Sequence, residues 1–68
     1  MIIFNERLKE LRLENNLMQK DLAQALGMKQ RTISNWELGI REPDFATLEK
    51  IANYFNVTTD YLLGIKDE

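Results

Sequence analysis

Gln30, Arg31, Ser34 and Asn35 fall within one short stretch of the chain. Arg can present two parallel N–H donors to guanine, and Asn or Gln can offer adenine a paired donor and acceptor. Ser can donate or accept. The chemistry such a group supports is recognition by hydrogen bonding, with no bond made or broken. On a helix, at about 100° per residue, Arg31 and Asn35 lie about 160° and 200° from Ile33, facing away from the side that Ile33 and Trp36 would bury. Gln30 flanks them on the first turn, and Ser34 lies about 100° from Ile33. The outward face carries no acid, which would repel a phosphate. An ordinary solvated face more often carries Glu and Lys.

The elements that must hold this face run from Gln19 to Trp36, QKDLAQALGMKQRTISNW. The stretch reads as two short helices joined by a tight turn. Ala23 is small where the helices cross, and Gly27 takes the corner, where a positive φ costs Gly nothing. Leu22, Leu26, Met28, Ile33 and Trp36 have the spacing needed to pack the pair on a third element. That is the layout of a helix-turn-helix, here residues 19–38, whose second helix lies in the major groove of double-stranded DNA. Gln19 opens the first helix, and its side chain and the first backbone N–H groups can hold a phosphate. Lys20, Lys29, Thr32 and Arg41 are further phosphate candidates.

The whole chain reads as all-α, a compact bundle of five helices. The first runs from Asn5, a suitable N-cap, to Asn15, with Phe4, Leu8 and Leu11 on one face and Phe4 placed for a hydrophobic staple. Asn15 and Asn16 end it, because Asn tolerates the left-handed conformation. The next two span Gln19 to Leu26 and Lys29 or Gln30 to Leu38, closed by Gly27 and Gly39. The fourth runs from its cap Asp44 to Phe55, with Phe45, Leu48, Ile51, Ala52 and Phe55 on one face. Thr58 caps a short fifth helix reaching Leu63, where Asp60 favours the helix dipole. Gly64 stops it, and Ile65 to Glu68 read as a frayed tail.

With 68 residues the chain makes one domain at most, residues 1–68. It holds no Cys and no His, which removes disulfides, thiolate metal sites and the commonest general base. No metal, cofactor or small-molecule ligand is expected, and an enzyme is not. The apolar start Ile2-Ile3-Phe4 is too short for a membrane span or signal peptide, which points to a soluble, cytoplasmic protein. Net charge is −2, but it is unevenly spread. Residues 1–17 balance, residues 18–41 carry +2 and residues 42–68 carry −4. The positive excess falls on the reading unit.

FNERLKELRLENNL, MQKDLAQALGMKQRTISNWELG, the REP after it and LEKIANYFNVTTDYLLG together resemble the Cro/C1-type helix-turn-helix domain of lambdoid phage repressors and bacterial Xre-like regulators. The resemblance runs from Phe4 to Leu63. It implies a five-helix bundle, bacterial or phage-encoded, whose third helix enters the major groove. It implies that Gln19 contacts phosphate and braces Gln30, and that Gln30, Arg31 and Asn35 read bases with Ser34 or Thr32 beside them. The loop after Gly39 would touch the DNA backbone. It also implies a pair between Arg12 and Glu37. Glu37, about 40° from Ile33, does point inward. Two positions depart from the pattern. Met18 and Lys29 stand where Ser or Thr caps the second and third helices, and losing a cap costs about 1 kcal/mol. Proteins of this type often continue past the fifth helix into a sensing or cleavage domain.

Two functions fit these observations. One is a sequence-specific DNA-binding transcriptional regulator, a repressor acting as a homodimer on an inverted-repeat operator. A single reading helix covers too few base pairs to find one site in a genome, so two half-sites are needed. Tyr61, Leu62 and Ile65 offer the apolar surface for pairing. The other is a protein-interaction or oligomerisation module of the same fold, which the acidic C-terminal half would suit. The acid-free face of the third helix argues for the first.

Overall fold

The structure, a computed structural model, describes residues 3–67; Ile2 of the apolar start and Glu68 of the tail lie outside them. Five helices follow in order: α1 Phe4–Glu14, α2 Gln19–Leu26, α3 Gln30–Glu37, α4 Phe45–Phe55 and α5 Thr59–Leu62. No strand occurs among the described residues. The all-α bundle expected from the hydrophobic spacing is the fold observed. Leu8, Leu22, Leu26, Ile33, Ile51 and Leu62 are fully buried, so every helix contributes to one core.

Helix ends are decided locally. Asn16 and Asn56 adopt the left-handed conformation at φ 57°, and Gly27 does so at φ 70°. After α2, the Gly27 N–H donates to the Gln24 carbonyl at 3.2 Å and the Met28 N–H to the Ala23 carbonyl at 2.8 Å. Those bonds satisfy carbonyls that a helix end otherwise leaves open, and they turn the chain into α3 within three residues. Asp44 caps α4 by accepting from the Thr47 N–H at 2.8 Å, and Thr58 caps α5 by accepting from the Tyr61 N–H at 3.0 Å.

Four expectations need correction. Asn5 does not cap α1: the helix begins one residue earlier, with Ile3 at the cap and no side-chain bond there. Phe4 is therefore inside the helix, where it is buried with its ring edge-on to Trp36 at 6.4 Å. Burying a Phe is worth about 1.5–3 kcal/mol, more than the roughly 1 kcal/mol of a cap bond, so burial sets the helix start. Phe45 does not join the buried face of α4; it is 91% exposed. It is the first residue of α4, next to an exposed loop, and no element covers it one turn before Leu48 reaches the core.

The tail is docked where fraying was expected. The Ile65 and Lys66 N–H groups both donate to the Asp60 carbonyl, at 2.9 and 3.3 Å. Arg7 of α1 donates through Nη1 to the carbonyls of Tyr61 and Lys66, both at 2.9 Å, and its guanidinium lies 4.1 Å over the Tyr61 ring. Leu62 does not offer the apolar pairing surface expected of it: it is fully buried, whereas Tyr61 is half-buried under the Arg7 guanidinium and Ile65 is exposed.

Candidate nucleic-acid interface

The site is built on the second helix of the α2–α3 pair. Ile33 and Trp36 bury one face of α3 and thereby orient the other. Gln30 and Arg31 are exposed on the first turn, while Thr32, Ser34 and Asn35 are half-buried. Glu37 points inward as its angular position implies. The four side chains that could read base edges thus share the N-terminal part of a helix whose back is held by the core.

Arg12, itself buried, reaches from α1 to α3. Its Nε donates to Glu37 Oε2 at 2.7 Å and its Nη2 to Glu37 Oε1 at 3.1 Å, a two-pronged geometry. Nη1 donates to the Leu17 carbonyl at 2.8 Å. The carboxylate takes one more bond, from Gln19 Nε2 at 3.1 Å. No buried side-chain nitrogen or oxygen lacks a partner among the described residues. This satisfaction matters, because a buried charge without full pairing is costly.

The link to Gln19 was not foreseen. Gln19 was expected to brace Gln30; its amide nitrogen instead holds Glu37. The start of α2 and the end of α3 are therefore tied through one carboxylate, with Arg12 behind it. Residue types alone could not reveal this, since Gln19 and Glu37 are 18 residues apart.

Electrostatics favour an anion on this side. Residues 18–41 contain two acids, Asp21 and Glu37. The side chain of Glu37 is only 5% exposed and its charge is countered by Arg12. Asp21 accepts from the Met18 N–H at 2.8 Å, so its carboxylate is turned to the helix start. That bond is the reciprocal half of a capping box, and it offsets part of what Met18 loses by making no cap bond of its own. Lys29 likewise makes no side-chain cap bond. Lys20, Lys29, Arg31 and Arg41 are all exposed.

The loop after α3 is fixed to that helix. The Asn35 carbonyl accepts from the Ile40 N–H at 3.0 Å and from the Arg41 N–H at 3.3 Å. Arg41 is thereby positioned against the C-terminal part of α3. Lys50, to which the spacing assigned nothing, donates from Nζ to the Leu26 carbonyl at 2.7 Å and closes the end of α2 from α4. No local sequence signal marks that contact, which crosses 24 residues.

No group of three or more metal-binding side chains occurs among the described residues. No helix is long and apolar enough there to cross a membrane.

The helix-turn-helix family model matches residues 8–62. The HTH-type transcriptional regulator ImmR of Bacillus subtilis (strain 168) is 48% identical over 63 residues, 93% of this chain and 49% of that protein. A transcriptional regulator from Listeria innocua has a similar crystal structure, with a TM-score of 0.90 and 31% identity over 100% of this chain and 64% of that one. The P22 c2 repressor protein, solved in complex with synthetic operator 9T, is similar at a TM-score of 0.85 and 27% identity, covering 93% of this chain and 96% of that one. The chain spans about half the length of the curated relatives it matches.

Proposed function

Because the chain belongs to the helix-turn-helix family, of the Cro/C1 type, we propose that it is a sequence-specific double-stranded DNA-binding domain of a transcriptional regulator. Its α3 reads the major groove. Arg31 donates two bonds to a guanine, Gln30 and Asn35 pair with adenine edges, and Ser34 adds a shorter contact. Gln19, Lys20, Lys29, Thr32 and Arg41 hold the flanking phosphates, which set register without reading sequence. The regulator acts as a repressor in the cytoplasm, as a homodimer on an inverted repeat. It is not an enzyme.

One observation carries this reading: the exposed side of α3 combines Gln, Arg, Ser and Asn with no acid, while Glu37 is drawn inward by Arg12. A surface built only for solubility has no need to hide a carboxylate. The P22 c2 repressor, bound to its operator, supports the same assignment for a domain of this shape.

The experiment is selection of binding sites from a random-sequence duplex library, followed by affinity measurement across salt concentrations. An enriched motif with steeply salt-dependent affinity is expected. Negligible binding to every duplex at low salt would overturn the proposal and favour a protein-interaction module of the same fold.

A further inference from the structure

Trp36 is only 4% exposed, and its indole N–H donates to no group among the described residues. No fully buried side-chain nitrogen lacks a partner there, so the indole nitrogen must belong to the sliver that solvent reaches. Trp36 lines an open hollow of about 420 Å³ between the start of α1 and the loop after α3, with Phe4, Asn5, Gly39, Arg41 and Glu42. An indole nitrogen donates and cannot accept. Whatever meets it in this hollow must therefore present an acceptor.

The other walls add donors. The Asn5 carboxamide lies beside Gly39, where a Cβ would stand 3.8 Å from Asn5 Nδ2. Asn5 is half-buried. α1 starts at Phe4 with no side-chain bond at its cap, so the positive end of that helix adjoins the hollow. Arg41 stands exposed on the outer wall. Two acids are near. Glu42 shares the wall but is exposed, with room to turn to solvent, and Glu6, in the first turn of α1, is exposed and does not line the hollow.

We propose that this hollow is an anion site that takes one phosphodiester of the bound duplex, Trp36 Nε1 and the Asn5 amide donating to its oxygens with Arg41 beside them. The proposal rests on the DNA-binding reading above. It adds to that reading a contact from α1 and from the indole of a core residue.

Three observations favour a phosphate carried on a strand over a free anion. The first is position. The Asn35 carbonyl holds the Ile40 and Arg41 N–H groups, so the loop wall of the hollow is tied to the helix that presents Gln30 and Arg31. The second is shape. Small-ligand pockets bury about 70–90% of their ligand. This hollow is open to solvent, which leaves a small anion half-hydrated but lets a strand pass. The third is charge. One Arg against one Glu is too little to draw a free dianion out of water. A phosphodiester carries a single charge, and base contacts on the same helix deliver it at high effective concentration.

The test uses the intact chain and the selected duplex, remade as a series in which one phosphate at a time is an uncharged methylphosphonate. For the parent, one position should cost about tenfold in affinity. Trp36→Phe keeps an aromatic ring and removes the N–H. It should lose about as much on the unmodified duplex, lose nothing further when that one phosphate is neutral, and keep its base preference. Because Trp36 also packs the core, Asn5→Asp gives a second reading. Asp in the first turn suits the helix dipole, so folding is not weakened, while its carboxylate repels a phosphate. Both variants must lose sensitivity at the same phosphate; any other pattern overturns the proposal. Trp36 is the only tryptophan of the chain, so its fluorescence reports on the hollow directly. A saturable change with millimolar inorganic phosphate alone, competing with duplex, would assign the hollow to a free anion and overturn the strand contact. Absence of parent binding to any duplex removes the DNA-binding reading beneath, whereas normal binding with additive losses removes this proposal alone.

Discussion

Arg12 and Glu37, on helices that never adjoin in sequence, meet through two parallel hydrogen bonds at 2.7 and 3.1 Å. Their side chains are only 10% and 5% exposed. A pair this dry contributes little beyond what an apolar pair would, but leaving either charge alone is expensive. It also holds Gln19, so the pair fixes the relation between α1, the start of α2 and the end of α3.

Arg12→Ala should therefore destabilise the fold by about 3–5 kcal/mol. For a domain of this size that lowers the melting temperature by at least about 12 °C. Circular dichroism melting is the measurement. The double variant Arg12→Met, Glu37→Leu should recover most of the loss, because no charge is left unpaired. An unchanged midpoint for Arg12→Ala would show that the pair does not hold the helices.

Arg31→Ala should act on recognition and leave folding alone, because Arg31 is exposed. The expected loss is about 1–3 kcal/mol against the preferred site, with relaxed preference at one position per half-site. Repeating the site selection with the variant reads this out. A motif identical to the parent's would remove Arg31 from the base-reading set.

Arg41→Ala should weaken binding to all duplexes by a similar factor. The slope of log affinity against log salt should fall by about one, the signature of a lost phosphate contact. A changed base preference with an unchanged slope would instead make Arg41 a reader of bases.

Asp44 brings a pH dependence. A hydrogen bond from the Thr47 side chain, joined by the one from the Thr47 N–H, holds its carboxyl below the ordinary value of 3.8. A lowered folded-state pKa means that the stabilisation is present above the unfolded value and is lost as pH falls through the folded one. The parent should thus lose stability below about pH 4. Asp44→Ala should melt lower at neutral pH and show a shallower fall on acidification. Parallel melting curves of the two proteins across that range would rule out the cap as the titrating contact.

The parts of this molecule that could be read from residue types are those decided within a few residues. Asn16, Gly27 and Asn56 stop their helices because each takes a left-handed conformation, a property of the residue itself. Which face of α3 turns outward was legible for the same reason: one helical period relates the buried Ile33 and Trp36 to Arg31 and Asn35. Phe45 misled because periodicity assigns a face but cannot say whether anything covers it. The Gln19–Glu37 bond and the docked tail depend on partners 18 and more than 50 residues away, which no local pattern carries. Asn5 lost its place as a cap to the burial of Phe4, a contest that only the packed structure decides.

The grip of Arg7 on Tyr61 and Lys66 bears on how the molecule opens. Short helices near the ends of a chain ordinarily fray one turn at a time. Here α5 and the residues after it cannot lift away without breaking the carbonyl bonds and the ring contact to α1 together. α1 and α5 therefore open as a single unit. In amide hydrogen exchange, α5 would share the opening free energy of α1 and exchange in step with it, so a four-residue helix that is too short to persist alone inherits the lifetime of the longer helix it is tied to.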